Sequence, residues 1–152
     1  MRKGSLARDL LYRDDVEDEL SKLDEINVLV SDANWAWPEA VRRIFTPRGI
    51  NALLATEAND VLDIIEQRRI HIAIVDMDSE RLSGLVTIKM IRSHYPYVPC
   101  ILLTNAAEPE LLSDALELEV FSVITKPVDM DVLLEQLDKL FIKRYNSTIF
   151  AR

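Results

Sequence analysis

Two periodicities alternate along the chain. Short runs rich in Val, Ile and Leu at 26–30, 50–55, 70–75, 99–103 and 120–125 have the length and composition of strands. Between them, apolar residues recur every three or four positions, the spacing of a helix with one buried face. Pro38 opens a helix that runs to about Phe45 and is closed by the turn chemistry of Thr46-Pro47-Arg48-Gly49. Asn59 or Asp60 caps the next, with Val61, Leu62, Ile64 and Ile65 on its apolar face. Gly84 leads into a third helix with Leu85, Ile88 and Ile91 on one side and Pro96 at its end. Residues 108–118 form a fourth. The last starts at Asp129 or its neighbour and turns Val132, Leu133, Leu137, Leu140 and Phe141 inward. Five strands alternating with five helices predict an α/β domain: a doubly wound parallel sheet with helices on both faces, joined by right-handed crossovers.

Ahead of this domain, Leu6, Leu10, Tyr12, Val16, Leu20 and Leu23 recur at mostly helical spacing among many charges. They predict an amphipathic N-terminal extension over 1–25. Its apolar stripe serves either to pack on its own domain or to pair with a partner or a second copy. The domain itself is read as 26–145, with 146–152 as a C-terminal tail.

The third strand organises the rest. Arg69-Ile70-His71-Ile72-Ala73-Ile74-Val75-Asp76-Met77-Asp78 is apolar on both faces until it ends in a carboxylate, with a second two residues on. Strands of a parallel sheet are buried on both sides, and their C-terminal ends are where such sheets place ligands. Asp32, Thr104 and Lys126 also fall at strand C-termini, so the fold gathers these four polar residues at one edge. Each alone reads as a turn residue, a strand-end cap or a surface charge. Their convergence points instead to phosphoryl chemistry. Asp76 can attack phosphorus, Asp32 can help hold the Mg²⁺ that two approaching anions need, and Thr104 and Lys126 can stabilise the transferred oxygens.

Composition narrows the field. A net charge of −8 over 152 residues argues against direct nucleic-acid binding, which normally uses a basic face. No apolar run approaches the roughly 20 residues of a membrane span, and the basic start is not followed by an apolar signal segment. The single cysteine, Cys100, lies in an apolar run, which suits a buried thiol and a cytoplasmic setting. His71 and His94 have no partner at metal-ligand spacing and read as strand-edge and helix-surface residues. Trp35 and Trp37, after Asp32, either cover the first helix or shape the pocket.

Taken in order, Asp76, Gly84 eight residues later, Pro99 before Ile101-Leu102-Leu103-Thr104, and Lys126-Pro127 resemble the receiver domain of two-component response regulators over about residues 26–145. The resemblance implies a flavodoxin-like fold and a cytoplasmic signalling domain rather than an enzyme. It makes Asp76 the phosphoacceptor, Thr104 the switch hydroxyl and Lys126 the phosphate contact. Asp32, Asp76 and the backbone carbonyl of Asp78 become the ligands of Mg²⁺. It also implies a histidine kinase or phosphotransfer protein as donor, a downstream protein target, and a stand-alone regulator, since no output domain follows.

Three positions depart from the family. Ser31 stands where the first of two acids is usual, removing a charge from the metal pocket. Asp78 puts a carboxylate where an apolar side chain is common, either compensating for Ser31 or repelling the donor. Val123, three before Lys126, replaces the usual switch aromatic, and Phe121 alternates to the same face farther away. These departures favour a second reading, a pseudo-receiver that binds partners without phosphate. A third is a haloacid-dehalogenase-like phosphohydrolase using Asp76 and Asp78; two βα units before the key strand and the lack of a later acidic strand count against it.

Overall fold

The computed structural model describes residues 25–32 and 35–151. Its strands are β1 (Asn27–Ser31), β2 (Asn51–Ala55), β3 (Ile72–Asp76), β4 (Cys100–Thr104) and β5 (Ser122–Thr125), all parallel in the order β2-β1-β3-β4-β5. The helices are α1 (Trp37–Ala40), α2 (Ala58–Gln67), α3 (Gly84–His94), α4 (Pro109–Glu117) and α5 (Met130–Tyr145). This is the expected flavodoxin-like arrangement, whose chain reverses winding direction between β1 and β3. The predicted 1–25 extension lies outside the described residues but for Glu25.

Alternation along the central strands divides the core in two. Val28, Val30, Ile72, Ile74, Ile101 and Leu103 face Phe45 and the Leu133, Leu137 and Phe141 side of α5. Leu29, Ala73, Val75, Cys100 and Leu102 face the other way, onto Val61, Ile65, Ile88, Ile91 and Ala115 of α2, α3 and α4. Every residue of β1, β3 and β4 is buried, so these strands form a rigid slab ending at the candidate site. Burial pushes the Cys100 thiol up to about 11.

The boundaries differ from expectation where local chemistry intervenes. The first helix is not one regular element: α1 widens into a π turn (Val41–Phe45) and tightens into a 3-10 turn (Thr46–Arg48) that ends on Gly49 at φ 67°. Thr46-Pro47-Arg48 is therefore helical, and only Gly49 makes the left-handed exit that glycine accepts without strain. The cap of α2 is Glu57, and Asp60 reaches back to it, accepting from the N–H groups of Thr56 (2.9 Å) and Glu57 (3.2 Å). These contacts hold the Asp60 carboxyl below its usual range, the Thr56 N–H and hydroxyl foremost. Asp129 caps α5 as expected, accepting the Asp131 N–H at 2.8 Å.

Leu62 and Val132, assigned to apolar faces, are instead 37% and 41% exposed. His71 sits just before β3, at the strand edge as expected, and is buried: its Nδ1 accepts the Asn27 N–H at 3.1 Å, while the Tyr145 hydroxyl donates to its carbonyl. The stretch read as a C-terminal tail packs on the core. Phe150 is fully buried against Phe141, ring centroids 4.8 Å apart, and Arg48 Nε donates to the Ile149 carbonyl at 3.0 Å.

Phe141 thus joins β-sheet, α5 and chain end in one cluster. Phe141→Ala is expected to lower unfolding free energy by about 3–5 kcal/mol in urea titrations, against less than about 0.5 kcal/mol for Val132→Ala at its exposed position.

Candidate functional site

Parallel registry delivers the polar residues to one edge. Asp76 pairs with Leu103 and Thr104 with Thr125, while Ser31 pairs with Val75, so Asp32 and Asp76 follow immediately on neighbouring strands. Gly84 allows the start of α3 to lie against this edge. A Cβ there would stand 3.1 Å from the Met77 Cα and 3.2 Å from the Asp76 carbonyl oxygen, with the Met77 sulfur closer still.

Asp76 is 1% exposed. A carboxylate so buried needs paired charge and hydrogen bonds. Its Oδ1 accepts from Lys126 Nζ at 2.7 Å and from the Asp78 N–H at 2.8 Å. The Asp76 N–H donates to Ser31 Oγ at 3.0 Å, so the serine that replaces an acid satisfies the backbone behind the carboxylate. Its Oδ2 accepts no hydrogen bond among the described residues, and is the oxygen open to a new bond.

Lys126 also reaches Asp78 Oδ2, at 3.1 Å, and the same oxygen accepts the Asn105 N–H at 2.7 Å. One ammonium therefore bridges two carboxylates. Burial lowers the Lys126 pKa, but the hydrogen bonds it donates to Asp76 and Asp78, with their charges, outweigh it and hold the group above its ordinary value near 10.5. Thr104 is buried at the end of β4, and its hydroxyl is engaged with Ala106, donating to the carbonyl at 3.1 Å and accepting the N–H at 3.2 Å.

Asp32 turns the chain at φ 67°, a left-handed conformation that aspartate tolerates better than most residues. Its N–H donates to the Ala55 carbonyl at 2.7 Å, and its carbonyl accepts the Trp35 indole N–H at 3.0 Å. Trp35 is buried in the core and meets Trp37 edge-on with centroids 6.2 Å apart. It also lines an open cleft of about 400 Å³ with Asn105, Lys126 and Pro127.

The structure thus brings Asp76, Asp78 and Lys126 into direct contact, and sets Asp32 and Thr104 at flanking strand ends without a hydrogen bond to Asp76 among the described residues. No group of three His, Cys, Asp or Glu is gathered there closely enough to hold a metal unaided among the described residues. Mg²⁺ keeps several waters and takes one or two carboxylates, a donor type that Asp32, just past β1, and Asp76, at the end of β3, both offer; Ser31, whose hydroxyl serves the Asp76 N–H, adds no charge. Asn105 was not foreseen, because its contribution is a backbone N–H that no side chain advertises. Phe121 and Val123 do not share a face: Phe121 packs against the α5 side and Val123 against the α4 side.

Ser31→Ala is expected to leave the buried Asp76 N–H unpaired and cost about 1–3 kcal/mol in chemical denaturation. The raised Lys126 pKa contributes stability that is complete below the unfolded lysine value and lost as pH rises through the higher folded value. The wild-type unfolding midpoint should therefore carry a component that falls only above about pH 10, absent in Lys126→Met.

A family model described as the response regulator receiver domain matches residues 28–138. Among curated proteins, the chain is 26% identical over 120 residues to response regulator RR06 of Streptococcus pneumoniae serotype 2, covering 79% of this chain and 54% of that protein. It is 25% identical over 116 residues to the transcriptional regulatory protein ZraR of Escherichia coli O157:H7, covering 76% of this chain and 26% of that protein. The chain spans about a quarter of the length of the ZraR relatives and about half of RR06. A CheY-like receiver domain protein from Methanospirillum hungatei JF-1 superposes with a TM-score of 0.70 at 21% identity, over 80% of this chain and 98% of that one. A Burkholderia pseudomallei response regulator with a phosphorylated aspartic acid, calcium ion and citrate gives a TM-score of 0.65 at 21% identity, over 78% of this chain and 70% of that one.

Proposed function

The chain belongs to the response regulator receiver family of two-component signalling, and from that premise we propose that Asp76 is its phosphoacceptor. A receiver is a signalling domain rather than a classical enzyme, which removes the phosphohydrolase reading. The observation that carries the proposal is a carboxylate 1% exposed at the end of the central strand, held by Lys126 at one oxygen and open at the other.

In the transfer, Asp76 Oδ2 forms an O–P bond as the bond from phosphorus to the donor breaks, and the electron pair leaves with the donor group. A phosphohistidine of a histidine kinase or phosphotransfer protein is the donor class, and the departing imidazole takes up a proton from water. Lys126 stays beside the product oxygens, and the Thr104 hydroxyl can turn from Ala106 to meet them. Receiver domains generally bind Mg²⁺. Here Asp32, Asp76 and the Asp78 carbonyl would hold it, and when bound it offsets the repulsion between carboxylate and phosphodonor.

The domain acts in the cytoplasm as a unit that starts at about residue 26 and takes in the stretch after 145 whose Phe150 is buried in its core, with 1–25 as an extension that packs on the domain or pairs with a second copy. Among the described residues, no helix is long and apolar enough to cross a membrane. Its target is a protein. The α4 surface beside the site exposes Leu112 (44%) and Leu116 (80%), apolar groups a partner can cover, and phosphorylation biases that surface between two states. A second reading, a module that binds partners without phosphate, is favoured by the Asp78 carboxylate on Lys126.

Incubation with Mg²⁺ and a small phosphodonor, read by intact mass, is expected to add one phosphoryl group to the wild type and none to Asp76→Asn. An unchanged wild-type mass supports the phosphate-independent module instead.

A further inference from the structure

We propose that the Asp78 carboxylate is a resident anion: it occupies the Lys126 ammonium and the Asn105 N–H, the two donors that a tetrahedral oxyanion beside Asp76 would take. The inference deepens the phosphoacceptor reading, since it rests on Asp76 being the group an oxyanion approaches.

Among the described residues, besides the Asp78 N–H that already serves Asp76, the donors at this edge are Lys126 Nζ after β5, the Asn105 N–H after β4 and the Thr104 hydroxyl at the end of β4. The first two converge on a single oxygen, Asp78 Oδ2, at 3.1 and 2.7 Å, and the third is turned to Ala106. An N⁺–H and a backbone N–H aimed at one carboxylate oxygen form an oxyanion site, here filled from within the chain. Asp78 lies only two residues beyond Asp76, and the Asp78 N–H donates to Asp76 Oδ1, so the same residue fixes the acceptor and covers its partners.

The contact is not an ordinary surface ion pair. Lys126 is 11% exposed and Asp76 1%, so the ammonium is shared in a largely dry site, while Asp78 at 30% keeps one side toward water. An entering oxyanion therefore has an exit for the displaced carboxylate. It must outbid that carboxylate for both donors, and its apparent affinity falls by the strength of the resident contact. The tie also joins the β3–α3, β4–α4 and β5–α5 connections through one oxygen. Displacing Asp78 releases Asn105, four residues before the start of α4.

Asp78→Ala and the near-isosteric Asp78→Asn separate charge from packing. With inorganic phosphate as the probe, the Asn105 amide cross-peak in nitrogen-proton spectra is expected to shift saturably in both variants, at about tenfold or more lower phosphate than in the wild type. Phosphoryl transfer to Asp76 from a small phosphodonor should quicken by a similar factor. Phosphate responses equal to the wild type in both variants overturn the inference, even if Asp76 is phosphorylated in all three proteins. Tighter phosphate binding with no mass gain at Asp76 in any of them upholds the resident anion and overturns the phosphoacceptor reading.

Discussion

The site depends on one ammonium placed between two carboxylates. Asp76 is carried into the interior by a strand that is apolar on both faces, and a carboxylate buried to that degree is costly unless it is met by charge and hydrogen bonds. Lys126 meets it. The lysine can do so only because β5 lies two strands away in a parallel sheet, so that its C-terminal end rises at the same edge as that of β3. The ion pair is thus a consequence of topology as much as of sequence, and it couples the last strand of the sheet to the central one.

The sheet supplies the rigidity that this coupling needs. β1, β3 and β4 are buried throughout, with two independent apolar clusters clamping them from either side. A slab packed on both faces has little freedom to deform, so the residues able to change position at the site are those in the connections above it. Those connections carry Asp78, Asn105 and Lys126. The charges of Lys126 and Asp78 are mounted on the connections, while that of Asp76 is mounted on the slab.

Strand periodicity and the carboxylate-terminated β3 made the fold legible before any coordinates, because alternation and helical spacing are properties of side chains. What stayed hidden has a common cause. The π and 3-10 turns after α1, the Asn105 N–H bonded to Asp78, and the capping of α2 by Glu57 are backbone arrangements, which the spacing of side chains along the chain does not advertise. Phe121 illustrates the same limit: strict alternation from Val123 gives it the wrong face, since β5 begins only at Ser122 and Phe121 lies in the bend that leads into it. Asp78 was visible as an irregularity, but whether it compensated or repelled depended on where its carboxylate turned. It turned onto Lys126, the cation that also pairs with Asp76.

That orientation changes how the missing aromatic is understood. Val123 lies on the α4 side of β5, is too small to track a rotation of the Thr104 hydroxyl across the sheet edge, and Thr104 is in any case bound to Ala106. The shorter route runs along the backbone. Asn105 follows Thr104 directly, is held by Asp78, and precedes Pro109 at the start of α4, whose Leu112 and Leu116 are exposed. A handful of main-chain bonds thus separates the anion at Lys126 from an apolar surface. No swinging ring is required, and the carboxylate that breaks the family pattern stands at the junction where such a signal would start.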